Sequence, residues 1–241
     1  MNSHAAAARE GVVVVIPCYN AGPNVLQVVE NVLRVVERVI IVDDGSTDGC
    51  LDPVRDRCED PPVRIITFPD NRGKGAAMIE GFKAALEEAA TACAVVVDAD
   101  GQHNPEEIPR LCEAFVERNA HLVIGARDFN QPHVPWASWV GNTLTSLVAR
   151  MLLRRRIADT QSGFRLHSRK LLEDIVIRLP PGRYETEMKI LAAAIKGNYN
   201  IESVPIQTIY EAGNPTSHFR KIRDSWRVWS ALFRAAAGRF R

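Results

Sequence analysis

Runs of β-branched residues alternate along this chain with longer stretches in which apolar residues recur every three or four positions. Residues 12–16, Val-Val-Val-Val-Ile, are apolar at every position, which predicts a strand buried on both faces of a parallel sheet. Residues 25–36 then show the helical period, and a second β-branched run begins at Val39. This order predicts an α/β fold in which helices flank a mostly parallel sheet and ligands bind at the carboxyl ends of the strands.

The same alternation continues through the rest of the chain. We expect further strands at 63–67, 94–97 and 122–125, helices at 75–90, 105–118 and 185–195, and strand-like alternation at 198–210. A polar turn at 159–165 is expected to lead into another strand. Since no Gly-, Ser- or Pro-rich linker and no repeat interrupts the pattern, we expect a flexible N-terminus at 1–10, one domain at 11–213 and a C-terminal extension at 214–241.

Polar clusters follow three of the predicted strands, at 17–20, 43–46 and 98–100. Because the carboxyl ends of parallel strands meet at one edge, these clusters favour a common site over three independent turns. Strand alternation would place Asp98 and Asp100 on one face, where two carboxylates repel unless a cation lies between them. With Gln102 next in the alternation, oxygen ligands alone suit Mg²⁺ or Mn²⁺. The alternative is a solvated turn that ends a strand, and His103 is expected to be a solvated turn residue.

A glycine-rich loop, Asn-Arg-Gly-Lys-Gly at 71–75, opens a predicted helix. Its backbone amides and Lys74 would suit a phosphate group. The loop has neither the Gly-Lys-Ser/Thr ending of a P-loop nor the third glycine of a dinucleotide fingerprint, so both of those assignments fail. The alternative is a tight loop that enters a helix.

The five cysteines are odd in number, include no Cys-x-x-Cys pair and mostly lie in or beside apolar runs. They are therefore expected to be reduced thiols used for packing, which favours the cytoplasm. The first ten residues lack the hydrophobic middle of a signal peptide. No segment reaches the roughly 18 apolar residues expected of a membrane-spanning helix.

The C-terminal extension has the pattern of a basic amphipathic helix. Its apolar stripe comprises Phe219, Ile222, Trp226, Trp229, Phe233, Ala236 and Phe240. Seven basic residues surround the stripe, against Asp224 as the one acid in residues 219–241. This pattern favours an anchor on a surface of anionic lipid, although the stripe would also suit packing on the domain or on a second subunit. A second amphipathic candidate covers residues 136–156.

In series, these motifs resemble the family-2 glycosyltransferases of the GT-A fold. The segments that carry the resemblance are 16–20 (Ile-Pro-Cys-Tyr-Asn), 42–49 (Val-Asp-Asp-Gly-Ser-Thr-Asp-Gly), 71–75 and 98–103. Two more, 159–165 and 184–188, are similar to the dolichyl- or polyprenyl-phosphate sugar synthases. The resemblance covers residues 11–225 and makes 11–213 a catalytic domain. It implies inverting transfer of a sugar from a nucleotide-sugar donor to a lipid phosphate at the cytoplasmic face of the membrane. The Gln-x-x-Arg-Trp motif of processive polymerases is absent, which favours transfer of a single sugar.

The resemblance also implies roles for individual residues. The nucleotide would be held by Pro17, Tyr19, Asn20, Asp43, Asp44, Lys74, Asp98 and His218. Asp98, Asp100 and Gln102 would hold Mg²⁺ or Mn²⁺ on the donor diphosphate, and Asp100, Arg127, Arg165 and Glu187 would be the catalytic residues. Of these, Arg127 and Arg165 would bind the acceptor phosphate and Glu187 would lie near it. The plainer alternatives are arginines paired with carboxylates and an acid in the first turn of a helix.

The acceptor determines which residues the reaction needs. A phosphate monoester has a second pKa of about 6, so it attacks as a dianion and needs cations to position it rather than a base. Two positions depart from the lipid-phosphate enzymes: Ala21 replaces a glutamate, and Ser138 replaces a second acceptor arginine. One alternative is therefore a hydroxyl acceptor with Glu185 or Glu187 as the base, and another is a membrane-attached protein that binds nucleotide sugar without turnover. Nucleic acid is not an expected partner. The sequence does not distinguish UDP-glucose from GDP-mannose as the donor, nor does it give the oligomeric state.

Overall fold

The computed structural model of this 241-residue chain describes residues 11–58, 62–127, 157–183 and 185–207. The first of its elements are β1 (Val12–Cys18), α1 (Val25–Leu33), β2 (Val39–Asp43), α2 (Asp52–Arg57), β3 (Val63–Thr67), α3 (Lys74–Leu86) and β4 (Cys93–Val96). A 3₁₀ turn at Pro105–Glu107 leads into α4 (Ile108–Glu117) and β5 (Leu122–Arg127). Beyond residue 156 come β6 (Arg165–Ser168), α5 (Arg169–Asp174), a 3₁₀ turn at Val176–Arg178, α6 (Glu185–Lys196) and β7 (Ile201–Ile206).

The strands form one sheet in the order β3–β2–β1–β4–β6–β5–β7. β1 pairs in parallel with β2 and β4, β2 with β3, and β5 with β7. β6 is antiparallel to both β4 and β5. The predicted α/β fold with a mostly parallel sheet is therefore confirmed. Strand order reverses between β1 and β4, and in sheets of this kind ligands bind outside the carboxyl ends of the strands at that point.

The alternation of side chains along β1 explains its uniformly apolar sequence. Val12, Val14 and Ile16 pack on the face of the sheet that α1, α2 and α4 cover. Val13 and Val15 point to the opposite face and pack against residues of α3 and, for Val15, also of α5 and α6. Because both faces are buried, each of the five positions requires an apolar side chain.

Several boundaries differ from the sequence-based expectations. The helix predicted at 75–90 begins one residue earlier, after Gly73 with its positive φ of 99°, and ends at Leu86. β4 ends at Val96, so Asp98 and Asp100 lie beyond the strand. The short helices α2 and α5 were not predicted, because six residues are too few to show a helical period.

The five cysteines are all free thiols, and four of them are buried. No helix in the described part of the chain is both long enough and apolar enough to cross a membrane. The predicted N-terminus, the second amphipathic candidate with Ser138, the C-terminal helix with His218 and the proposed boundary at residue 213 lie outside the described residues.

Candidate active site

Hydrogen bonds tie together the two loops that follow β1 and β2. Asn20 adopts a left-handed backbone conformation with φ 45°, and its Oδ1 accepts from the backbone N–H of Thr47 at 2.8 Å. The N–H of Asn20 in turn donates to Ser46 Oγ at 3.1 Å. Asp43 Oδ1 accepts from the N–H of Ser46 at 2.8 Å, which closes the second loop on itself. Asn20 and Asp43 thus fix the shape of the surface predicted to receive the nucleotide.

Pro17 and Tyr19 lie at the same edge of the sheet. Pro17 is buried within β1 beside Val42 of β2, and Tyr19 follows the strand as a half-buried residue. The structure therefore places both residues next to Asn20, as the sequence predicts. Their contacts with a base and ribose stay predictions.

The buried Asp44 carboxylate holds the glycine-rich loop. Its Oδ1 accepts from the N–H of Arg72 at 2.6 Å and its Oδ2 from the N–H of Gly73 at 2.8 Å. Burial raises the pKa of Asp44, although these two hydrogen bonds favour its charged form. The carboxylate positions the residues before α3, a role that sequence reasoning missed when it assigned Asp44 to the nucleotide.

Lys74 joins two carboxylates that come from different elements. Its Nζ lies 2.7 Å from Asp98 Oδ1, in the turn after β4, and 3.0 Å from Glu187 Oε1 on α6. Burial disfavours the charged form of Lys74, but the two carboxylates outweigh burial and raise its pKa. Burial likewise favours a neutral Asp98, but Lys74 and the other neighbouring basic groups together outweigh it and lower the pKa of Asp98. Lys74 and Asp98 thus stabilise each other's charged form.

Gly163 lies close against the charged groups of this cluster, where a larger residue would not fit without displacing them. A Cβ placed on Gly163 would lie 2.9 Å from Asp98 Oδ2, 3.0 Å from Lys74 Nζ and 3.2 Å from Glu187 Oε1. These separations are shorter than ordinary van der Waals contacts. A side chain here would displace charged groups of the site, which gives this glycine a function that its place in a polar turn did not reveal.

Asp98 and Asp100 are brought together by a turn. Strand alternation was the wrong reason for their proximity, because β4 ends at Val96. The turn contains Gly101 with φ 77°, and the N–H of Gln102 donates to Asp100 Oδ1 at 3.0 Å. Burial and then the neighbouring charge of Asp98 raise the pKa of Asp100 to about 6. Asp100 therefore carries a charge that its surroundings compensate poorly.

The residues of this turn fit a divalent cation. Asp98 Oδ1 is buried and accepts no hydrogen bond of normal geometry, although the Lys74 ammonium lies close to it as an ion-pair partner. Carboxylate and amide oxygens are the ligands that Mg²⁺ and Mn²⁺ prefer. Within the described ranges, no three or more His, Cys, Asp and Glu side chains are grouped to hold a metal. Gln102 and oxygens of a bound ligand would therefore have to complete the coordination.

His103 packs against the turn that carries Asp98 and is not the solvated residue that the sequence predicted. Its side chain is 10% exposed and stacks on Phe164, with 5.1 Å between the ring centroids. Nδ1 accepts from the backbone N–H of Asp98 at 3.1 Å, which places the imidazole proton on Nε2. Burial lowers the pKa of His103 to about 4, so the ring is neutral. His103 positions Asp98.

Arg127 forms a bidentate pair with the buried Asp159. Its Nε lies 2.6 Å from Oδ2, and a terminal guanidinium nitrogen lies 3.0 Å from Oδ1. Asp159 Oδ1 also accepts from the backbone N–H groups of Gln161 and Ser162, at 3.0 and 3.1 Å. Arg127 is thus paired with a carboxylate in this structure, as the plainer alternative predicted. The Arg127 side chain is still 23% exposed at the end of β5, which is compatible with a contact to a ligand.

Arg165 has a different environment from the one predicted for it. The residue is 1% exposed, and its guanidinium donates to the backbone carbonyls of Ser162, Thr160 and Glu187 at 2.7, 2.7 and 2.8 Å. This placement does not agree with direct binding of an acceptor phosphate, nor with simple pairing to a carboxylate. Arg165 instead connects the 160–163 turn to the first turn of α6. It acts on the site by positioning Gly163 and Glu187.

The structure therefore brings most of the predicted residues to one edge of the sheet. The carboxyl ends of β1, β2 and β4 carry the predicted nucleotide and metal residues, and α6 contributes Glu187. Sequence reasoning missed Asp159 and Gly163, although both lie in the segment 159–165. Their signal was an aspartate followed by small polar residues and a glycine, which is typical of a turn closed by side-chain hydrogen bonds.

A mostly parallel seven-stranded sheet with an acidic turn at the point where strand order reverses is the architecture of a GT-A glycosyltransferase. Glucosyl-3-phosphoglycerate synthase from Mycobacterium tuberculosis, crystallised with Mn²⁺, UDP and phosphoglyceric acid, has this fold. It matches with a TM-score of 0.68 and 20% identity, over 97% of this chain and 81% of that chain.

The chain belongs to glycosyl transferase family 2, whose model matches residues 13–176. UDP-N-acetylglucosamine–dolichyl-phosphate N-acetylglucosaminyltransferase from Methanococcus voltae is 33% identical over 81% of this chain and 84% of its own length. Polyprenol monophosphomannose synthase from Mycolicibacterium smegmatis is 32% identical over 92% of this chain and 89% of its own length. The protein is thus a glycosyltransferase, and its predicted resemblance to lipid-phosphate sugar synthases is confirmed at the level of homology.

Proposed function

We propose that this protein is an inverting glycosyltransferase that moves one sugar from a nucleoside-diphosphate sugar to a polyprenyl or dolichyl phosphate at the cytoplasmic face of the membrane. The observation that carries the proposal is the similarity to the two relatives from M. voltae and M. smegmatis over most of the chain. Their names describe transfer of different sugars to a lipid phosphate. They support a lipid phosphate as the acceptor of this protein, whereas they favour no particular sugar.

The donor would bind at the edge formed by β1, β2 and β4. Asp98, Asp100 and Gln102 would hold Mg²⁺ or Mn²⁺ there. When bound, the cation would neutralise the charge that develops on the leaving nucleoside diphosphate. The Mn²⁺ and UDP in the mycobacterial structure support this use of the fold. Lys74, at the first position of α3, would donate to the diphosphate together with the amide groups of that helix terminus.

On the acceptor side, the ion pair of Glu187 favours a phosphate over a hydroxyl nucleophile. Glu187 is the candidate base of the hydroxyl alternative, but its Oε1 is already ion-paired with Lys74, whose Nζ lies 3.0 Å away. That oxygen is therefore occupied by a cation instead of facing a hydroxyl group of an acceptor. A phosphate dianion needs no base, and the partly exposed Arg127 would orient it.

The transfer itself needs no net proton movement. An oxygen of the acceptor phosphate would bond to the anomeric carbon from the side opposite the diphosphate. The bond from that carbon to the diphosphate oxygen would break, and its electron pair would leave with the nucleoside diphosphate. Attack from the opposite side inverts the configuration at the anomeric carbon.

The direct test is a transfer assay with two acceptor classes. Purified protein would be incubated with Mn²⁺, with labelled UDP-glucose, UDP-N-acetylglucosamine or GDP-mannose, and with a short polyprenyl phosphate or the matching polyprenol. We expect an acid-labile lipid-linked sugar from the phosphate alone, with a preference for one donor. Transfer to the free alcohol or to sugar hydroxyls, without transfer to the phosphate, would exclude the proposed acceptor.

The membrane contact is a separate part of the proposal. Residues 219–241 would attach the protein to anionic lipid through the basic amphipathic helix that their sequence predicts. Cosedimentation of the full chain with vesicles that contain phosphatidylglycerol should be lost when these residues are removed and reduced by high salt. Unchanged sedimentation of the shortened chain would instead favour packing of this segment on the protein.

A further inference from the structure

The ammonium group of Lys74 is ion-paired with Asp98, a carboxylate that is predicted to hold the metal. Lys74 Nζ lies 2.7 Å from Asp98 Oδ1, and its second partner is Glu187, whose Oε1 is 3.0 Å away. The side chains of Lys74 and Glu187 are only 17% and 12% exposed, so water screens this charged group weakly. Without any ligand, the positive charge of the site thus comes from the protein itself.

A divalent cation and this ammonium group compete for the same carboxylate. Mg²⁺ binds oxygen at about 2.0–2.1 Å, so a cation on either oxygen of Asp98 would lie within a few ångström of Nζ. Two positive groups at that separation in a poorly screened site repel strongly. Metal binding therefore requires Lys74 to move from Asp98 or to find another anion.

The position of Lys74 on α3 indicates where the side chain would turn. Lys74 is the first residue of the helix, and the partial positive charge of a helix N-terminus attracts anions. Gly163 lies directly against Nζ, and a Cβ at that position would approach Nζ to 3.0 Å, so the glycine avoids a side chain that would crowd the ammonium group. A diphosphate bound at this terminus would offer new oxygens to the ammonium group while the metal takes over Asp98.

We propose that Lys74 is an internal counter-cation that the protein exchanges for the divalent metal when a nucleoside diphosphate binds. The inference rests on the proposed function, because it assumes that metal and donor share this site. Its consequence is cooperative binding: each ligand binds weakly by itself, because the ion pairs of Lys74 must be broken, and tightly in the presence of the other. Thermodynamic linkage requires the two to enhance each other by the same factor.

The test compares Mn²⁺ binding with and without nucleotide, measured by electron paramagnetic resonance of free Mn²⁺ and by thermal shift. For the unaltered protein, we expect UDP or GDP to strengthen Mn²⁺ binding by a factor within the range of about 5–150 that is typical of coupled sites. In Lys74→Met, Mn²⁺ alone should bind about tenfold more tightly, and the enhancement by nucleotide should largely disappear. Lys74→Arg keeps the charge and should bind Mn²⁺ alone as weakly as the unaltered protein.

Lys83→Met is the matched control, because Lys83 lies on the same helix with an exposed side chain that faces Glu80. It should leave both affinities unchanged. If Lys74→Met does not fold, because it leaves two partly buried carboxylates without a cation, Lys74→Met combined with Glu187→Gln removes one of them. This double variant should also bind Mn²⁺ alone more tightly than the unaltered protein.

The outcomes separate the two proposals. One outcome is that Lys74→Met and the unaltered protein bind Mn²⁺ equally well without nucleotide and bind it normally with nucleotide. This outcome would overturn the cation exchange and leave the proposed function intact. No Mn²⁺ binding by any variant, with or without UDP or GDP, would overturn both the metal site and the exchange. Tighter binding by Lys74→Met with loss of the nucleotide effect would support both.

Discussion

Two acidic segments lie at the same end of the sheet and use their charges differently. In the turn at 98–102, two aspartates lie close together, Asp98 Oδ1 has no well-formed hydrogen bond, and the pKa of Asp100 is raised to about 6. In the segment 159–165, Asp159 accepts from Arg127 and from two backbone N–H groups, and Arg165 donates to three carbonyls. The first segment has charge left to bind a ligand, whereas the second uses its charge to hold its own backbone.

The difference shows that residue type alone does not identify a functional carboxylate. Asp44, Asp98, Asp100 and Asp159 all follow strands or lie in polar turns, and all are shielded from water to a large extent. Asp44 and Asp159 are satisfied by backbone and arginine donors. Asp98 is instead paired with the ammonium group of Lys74, and Asp100 has one backbone donor but a raised pKa, so these two carboxylates are the better candidates to bind a ligand.

The largest expected effect is the loss of transfer in Asp100→Asn. Removing one charge from the proposed metal turn should lower kcat by about 10³-fold or more, because stabilisation of the leaving group is lost. The protein should remain folded, since Asp100 is a source of repulsion. Transfer assays and circular dichroism would measure the two effects, with the exposed Asp56→Asn as the control. Full activity in Asp100→Asn would contradict the proposal that the turn at 98–102 binds a ligand whereas the segment 159–165 is structural.

A large effect on stability is expected from the other segment, in Arg165→Met. This change leaves two buried carbonyls and one partly buried carbonyl without their donor and should lower the free energy of unfolding by about 3–5 kcal/mol. Urea denaturation would measure it, and the exposed Arg178→Met should change stability by less than about 0.5 kcal/mol. A variant of normal stability that binds acceptor weakly would instead favour the direct phosphate contact first predicted for Arg165.

An intermediate effect is expected where the two segments meet, in Gly163→Ala. The new Cβ would crowd the flexible ends of Asp98, Lys74 and Glu187, and Gly163 does not require the left-handed region of φ. We therefore expect a loss of about tenfold in Mn²⁺ and nucleotide affinity, with a change in stability below about 1 kcal/mol. Calorimetric titration and thermal unfolding would separate these. A large loss of stability with intact affinity would place Gly163 among the structural residues of its segment.

The smallest effect is a pH dependence of the metal-free protein. The pKa of Asp100 is raised in the folded state from 3.8 to about 6. Its favourable contribution to stability is therefore fully present below pH 3.8 and lost as the pH rises through 6. Relative to the unaltered protein, Asp100→Asn should gain on the order of 1 kcal/mol between pH 4 and 7. Parallel melting curves of the two proteins across this range would contradict the repulsion between Asp98 and Asp100.

Much of the fold could be predicted, because the apolar runs report burial directly. A strand covered on both faces has to be apolar at every position, and residues 12–16 show this pattern. The predicted boundaries of β4 and α3 were less accurate. β4 ends before Asp98, and α3 begins directly after Gly73. A strand was expected after the turn at 159–165, but the antiparallel direction of β6 followed from no local pattern, since strand direction depends on how the chain returns to the sheet.

The candidate site was predicted in its location and in most of its residues, but not in their individual roles. Asp44, His103 and Arg165 looked like a nucleotide contact, a solvated residue and an acceptor contact. In the structure they hold a loop, a turn and a helix start, and the nucleotide contact of Asp44 stays a prediction. The sequence gives each residue its chemical groups, whereas its partners come from segments more than 20 residues away in two of these three cases.

By itself, the sequence determined that this protein has a covered parallel sheet, that its polar loops converge on one edge, and that its motifs are those of a family-2 glycosyltransferase. These properties follow from periodicity and from residue types at fixed spacing. Only the tertiary structure decided which partners each carboxylate has, that Lys74 bridges Asp98 and Glu187, and that Gly163 lies where a side chain would crowd these groups. The physical reason is that charge compensation and free volume depend on distances across the fold, between residues as far apart in the chain as 74 and 187.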